Sequence, residues 1–162
     1  MPLANKRPKR ETYFIGVSSS VPAIELDWPR SKVYYTTHEL LDLDSIEIKQ
    51  KASYILNRAY TGYHTNRVVG RSSLIGVEFQ GVNYSALSMG AGEQRLFRIL
   101  RQVKAARQYA LILIDELDLL LHTEALHRLL EVLNVYAVAK KLQIVFTTHR
   151  ESVVNFELFV AI

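Results

Sequence analysis

Ala110-Leu111-Ile112-Leu113-Ile114-Asp115-Glu116 is the stretch that decides the fold. Five apolar residues running directly into two acids predict a strand buried on both faces. The acids then stand at its C-terminal end, where open α/β sheets bind ligands. A carboxylate there, Asp115, suits Mg²⁺, which prefers carboxylate and water oxygens. Its neighbour Glu116 suits polarising an attacking water. A buried strand leaving into a polar turn gives the same string, so the flanking segments must decide.

Downstream, Gln143-Ile144-Val145-Phe146-Thr147-Thr148-His149 repeats the pattern. An apolar strand ends in hydroxyls and a histidine that can donate to a phosphate oxygen. Between the two lies a helix pattern with Leu126, Leu129, Leu130, Leu133 and Tyr136 or Ala137 on one stripe and Thr123 as its cap. A helix of that length joining two such strands predicts a right-handed crossover, with strands 109–114 and 142–147 parallel and adjacent.

Upstream, Leu87-Ser88-Met89-Gly90-Ala91-Gly92-Glu93-Gln94 precedes a helix running to about Arg107. Paired glycines let the backbone approach a ligand, and the free N–H groups of a helix start attract anions. A glycine turn before any helix looks the same. Type, order and spacing argue together: Asp115 follows Gly92 by 23 positions and His149 follows Asp115 by 34, each room for one helix and a returning strand.

The rest of the chain reads more plainly. Thr12 to Val17 is strand-like, Trp28-Pro29 opens an irregular piece, and Val33 to Thr37 is a short extended run. Asp44 with Glu47 resembles a capping box, ahead of a helix with Ile48, Ala52, Ile55, Leu56 and Ala59 on one face, ending near Thr61-Gly62. Residues 63–73 are polar and contain Gly70, which predicts a loop. Leu74 to Phe79 and Val82 to Ala86 form a hairpin around Gln80-Gly81. A short helix follows His149, and Phe156 to Ile162 reads as a last strand. The element order predicts an α/β fold with a parallel sheet core, helices on its faces and an antiparallel hairpin before the glycine-led helix.

Composition sets the bounds. The 162 residues are 49% hydrophobic and 22% charged, as in a globular domain. No apolar run nears the roughly 20 residues a membrane helix needs. The absence of cysteine excludes disulfides and zinc–thiolate sites and fits a cytoplasmic protein. Net charge is +4, and Lys6, Arg7, Lys9 and Arg10 crowd a basic tail over residues 1–11. Such an arm can contact nucleic acid or anionic lipid, or simply be solvated. A second basic band, Arg95, Arg98, Arg101, Lys104 and Arg107, winds around the helix after the glycines. It reads either as a solvated face or as a contact for DNA or an acidic partner. No helix-turn-helix, zinc or stacking motif accompanies it.

The three segments resemble the head of ATP-binding cassette ATPases. Residues 87–94 resemble the signature motif in the glutamate-containing form of chromosome-maintenance and DNA-repair ATPases. Ile112 to Glu116 resembles the Walker B strand, and Thr147 to His149 the switch loop. Leu117 to His122 looks like the segment after Walker B in overcoming-lysogenization-defect type and related anti-phage defence ATPases. The likeness covers roughly residues 84–155.

The resemblance implies ATP and Mg²⁺ as cofactors, and a second head, in a homodimer, across the nucleotide. In that scheme Asp115 holds Mg²⁺, Glu116 acts on water, His149 senses the γ-phosphate, and Asp118 couples the two sites. Ser88, Gly90, Gly92 and Glu93 would serve the ATP across the interface. Two registers fit the signature, Leu87 to Gly90 matching its beginning and Gly90 to Glu93 its end. The second places the glycine–acid pair at the helix start. One part of the family pattern is missing: a P-loop needs a lysine after glycine, and no lysine of this chain follows one. Residues 12–162 are therefore expected to be the C-terminal part of such a head, inactive alone. The alternative is a non-catalytic remnant that binds protein or nucleic acid.

Overall fold

The computed structural model describes residues 10–25 and 33–153. The Trp28-Pro29 piece, tail residues 1–9 and the strand expected at 156–162 lie outside them. Two sheets are present. The first is parallel, with β1 (Thr12–Ile15) and β7 (Gln143–Phe146) on either side of β6 (Leu111–Ile114). The second is antiparallel, in the order β2 (Thr36–Glu39), β3 (Tyr60–Arg67), β4 (Leu74–Phe79), β5 (Val82–Ser85). Three helices, α1 (Leu43–Leu56), α2 (Ala91–Ala105) and α3 (Thr123–Lys140), pack between and beside the sheets. This is the expected α/β layering, with β6 and β7 parallel neighbours joined through α3.

Several local expectations shift, each for a chemical reason. The α1 N-cap is Asp42, not Asp44: its carboxylate accepts from the Ser45 N–H at 3.0 Å. Glu47 instead accepts from Tyr136 Oη and Lys104 Nζ, tying the three helices together. α1 ends earlier than expected, at Leu56, because Asn57 adopts a left-handed backbone (φ 51°) that asparagine tolerates. Residues 60–67 are a strand rather than a loop. Backbone pairing with β2 and β4 holds this strand, and Thr37 Oγ1 donates to buried Asn66 Oδ1, while Asn66 Nδ2 and Tyr63 Oη are buried without a hydrogen-bond partner among the described residues. For α3 the cap is His122, whose Nδ1 accepts from the Ala125 N–H, and Thr123 is the first helical residue.

The hairpin is as expected. Gln80 (φ 52°) and Gly81 (φ 75°) both take the positive φ of a tight primed turn, joining β4 to β5. The core is continuous from sheet to sheet. Phe97 of α2 is fully buried, stacked on Tyr63 at 5.1 Å and edge-on to Tyr60 at 5.7 Å.

One face of the parallel sheet is buried, through Ile15, Ile112 and Ile114. The register sets Phe14, Leu113 and Val145 side by side on the other face. Phe14 and Val145 are exposed and Leu113 half-buried, so among the described residues the apolar strands are covered on one face rather than two.

Candidate functional site

At the C-terminal edge of the parallel sheet, the β6 and β7 backbones continue as a pair past their last strand residues. Asp115 N–H donates to the Ile15 carbonyl, and Thr147 N–H to the Ile114 carbonyl. The chain then turns at Glu116, a non-glycine residue with φ 49°. Such a conformation is unfavourable for a branched side chain and persists where the surroundings hold it.

Here they do. Thr147 Oγ1 donates to Asp115 Oδ1 at 2.9 Å and accepts from the Glu116 N–H at 2.7 Å. The Thr147 carbonyl accepts from the Leu117 N–H. From beneath, the Arg95 guanidinium donates to the carbonyls of Asp115 (2.6 Å) and Glu116 (3.0 Å). The acid turn is thus fastened on both sides.

The histidine joins it. His149 Nε2 lies 3.5 Å from Glu116 Oε1, and the His149 N–H donates to Asp118 Oδ1. His149 is exposed while Glu116 is about one-third so, leaving both reachable from solvent. Burial alone would raise the Asp118 pKa. The Thr148 hydroxyl and nearby backbone N–H groups outweigh it, so the carboxyl sits below its usual range. Arg150 continues the network, donating to Thr123 Oγ1 and the Leu121 carbonyl. The structure therefore brings Asp115, Glu116, Asp118 and His149 together.

The glycine segment forms a second cluster, at the start of α2. Gly90 is the N-cap and offers no side-chain acceptor, while Ser88 and Gly90 are exposed. A β-carbon on Gly92 would collide with the carbonyl oxygen of Leu120, so this close approach requires glycine. Gln94 holds the loop from inside, donating to the Ala86 and Met89 carbonyls and accepting from the Ala23 N–H.

Three residues depart from the roles expected of them. Glu93 is buried, and its carboxylate accepts from Tyr60 Oη (2.5 Å) and Tyr84 Oη (2.8 Å) with Arg58 at 3.5 Å. It binds the antiparallel sheet to α2 rather than facing a ligand. Burial, reinforced by this carboxylate, pushes the Tyr84 phenol up to about 12 and raises that of Tyr60 further. Arg95 was grouped with the surface band but is fully buried. Burial lowers its pKa, opposed by the charges of Glu116 and Asp115. Lys104 is likewise committed, to Glu47 and Asp44 of α1. Arg98, Arg101 and Arg107 remain as exposed members of that band, Arg107 paired with Glu11.

Sequence reasoning missed Thr147 and Arg95 as supports of the acid turn, and Tyr60, Tyr84 and Arg58 as partners of Glu93. Only Arg95 left a signal: its i, i+4, i+8 spacing with Ile99 and Val103 sets it on the buried stripe.

Acids and a histidine at the carboxyl edge of a parallel sheet, beside a glycine-led helix, define the class: an α/β domain of the P-loop nucleoside triphosphatase kind. Residues 20–155 match the family described as AAA domain, putative AbiEii toxin, Type IV TA system, and the chain belongs to that family. No curated protein matches the chain. Among the described residues no helix is long and apolar enough to cross a membrane.

Proposed function

We propose that this chain supplies the signature, Walker B and switch elements of an ATP-binding cassette type ATPase head, of the kind used in DNA-related or defence processes. The observation that carries the reading is the fastened Asp115-Glu116 turn with His149 and Asp118 beside it. In this reading Asp115 would hold Mg²⁺, its Oδ1 already accepting from Thr147 Oγ1. Glu116 orients the attacking water, and His149, reached through that carboxylate, senses the transferred phosphate. Bound Mg²⁺ would supply charge neutralisation at the phosphates.

The glycine cluster packs against Leu120, in the turn after the acid pair, and in this reading it serves nucleotide held by a second head in a homodimer. Ser88 and the exposed Gly90 fit this role, and Gly92 serves it by close packing. Glu93 does so only by fixing the helix. A partner contact along α2, with DNA or an acidic protein, would use Arg98 and Arg101.

One observation favours a second reading, a non-catalytic domain: no lysine follows a glycine, so the chain carries no P-loop signature of its own. The two readings separate experimentally. Titrating the chain with Mg²⁺ and ATP, followed by backbone NMR, should shift the amides of Glu116, Asp118 and His149 at millimolar nucleotide, with no phosphate released. Silence at those amides would sink the ATPase reading. In a preparation that does hydrolyse ATP, Glu116→Gln should keep nucleotide binding and lose roughly 100-fold or more in turnover.

A further inference from the structure

The opposite edge of the parallel sheet carries a second feature, which stands independently of the ATPase reading. Arg10, Glu11, Arg107, Gln108, Tyr109, Lys141 and Gln143 line an open groove of about 740 Å³. These residues sit at or before the N-terminal ends of β1, β6 and β7. Four strand residues at about 3.3 Å each put the groove roughly 13 Å from the acid turn.

The groove is built rather than incidental. Tyr109 has φ +67°, a strained conformation for an aromatic residue. Its backbone is pinned twice: its N–H donates to the Lys140 carbonyl, and its carbonyl accepts from Arg10 Nε at 2.7 Å. Arg10 also reaches the Ala110 carbonyl and the Gln143 side chain. Lys141, itself left-handed at φ 52°, closes α3 and carries its ammonium 5.5 Å from the Tyr109 ring centroid. The outcome is a tyrosine, 55% exposed as a residue, with an ammonium over one face of its ring.

Three cations, Arg10, Arg107 and Lys141, face one carboxylate, Glu11, which is already shared between Arg107 and the Tyr13 hydroxyl. The groove is therefore positive.

We propose that this groove binds single-stranded nucleic acid, with Tyr109 stacking a base and Arg107 and Lys141 contacting phosphates. Cations alone would suit any polyanion. The exposed ring, fixed against its own backbone preference, is the element that a base plane uses and an acidic peptide or a lipid headgroup does not.

The test is fluorescence anisotropy of the whole chain with labelled oligo-dT and oligo-U, over a salt series. Saturable binding is expected, with log affinity falling against log salt at a slope of about −1.4 for two phosphate contacts. The two oligonucleotides decide between DNA and RNA. Tyr109→Gly relieves the positive φ, so it should melt no lower than the native chain yet bind about tenfold more weakly. Lys141→Asn keeps a residue that accepts the left-handed helix end and should flatten the salt slope by about 0.7. Three results would each overturn the proposal: no saturable binding at low salt, binding that both variants leave intact, or polyglutamate or anionic vesicles captured as tightly as the oligonucleotides with the same sensitivity to Tyr109→Gly.

Discussion

The carbonyl oxygen of Leu120 occupies the space that a β-carbon on Gly92 would need. The glycine segment and the turn after the acid pair are thereby locked against each other within one chain. Gly92→Ala must push the Leu120 backbone aside and should cost about 1–3 kcal/mol. Gly90→Ala meets nothing within 4 Å and should cost less than about 1 kcal/mol, as an N-cap change. Urea denaturation of the two variants checks the contrast, and equal losses would contradict the packing described.

Arg95→Met should unfasten the acid turn. The apolar chain fills much of the volume but leaves two carbonyls without their charge-assisted donors. A loss of about 2–3 kcal/mol is expected, with faster hydrogen exchange at the Glu116 and Leu117 amides. Unchanged exchange there would mean that Thr147 alone holds the strained turn.

Glu93→Gln should release the phenols of Tyr60 and Tyr84. An ultraviolet titration should then show Tyr84 ionising below about 12 yet still above its ordinary 10.0, because burial, the larger cause, remains. The sign of the linked stability follows from the raised value. The contribution of Tyr84 is complete below pH 10 and is lost as pH rises through about 12. In the Gln variant that alkaline limb should shrink and move to lower pH, the part due to burial remaining.

Acid stability should depend on Asp118 and Glu47. Both carboxyls are held low: Asp118 despite its burial, by Thr148 and backbone donors, and Glu47 first by Lys104 and then, against burial, by Tyr136. Their contribution is present above the unfolded value near 4 and disappears as pH falls through the lower folded values. Asp118→Asn should shallow the acid unfolding curve, measured by circular dichroism, while leaving the alkaline side unchanged.

Much of the architecture is local, and the sequence by itself determined it. The apolar run 110–114, the leucine stripe of α3 and the Gln80-Gly81 turn each state their own conformation through periodicity or backbone preference. The parallel pairing of β6 and β7, with the acid turn and His149 at one edge, follows from those periods and a crossover helix. The structure bears it out.

Tertiary structure decided which charges are used, because charge type does not reveal burial. Arg95 and Arg98 share a helix three residues apart, yet one lies sealed beneath Asp115 and the other faces solvent. Glu93 follows the glycines as a ligand acid would, but two tyrosines from β3 and β5 enclose it. The polar strand β3 reads as a loop because it carries no alternating apolar pattern, and its pairing with β4 and, across the whole of α1, with β2 is what makes it a strand. Long-range desolvation and hydrogen bonding fix these outcomes, and neither is written in the spacing of neighbouring residues.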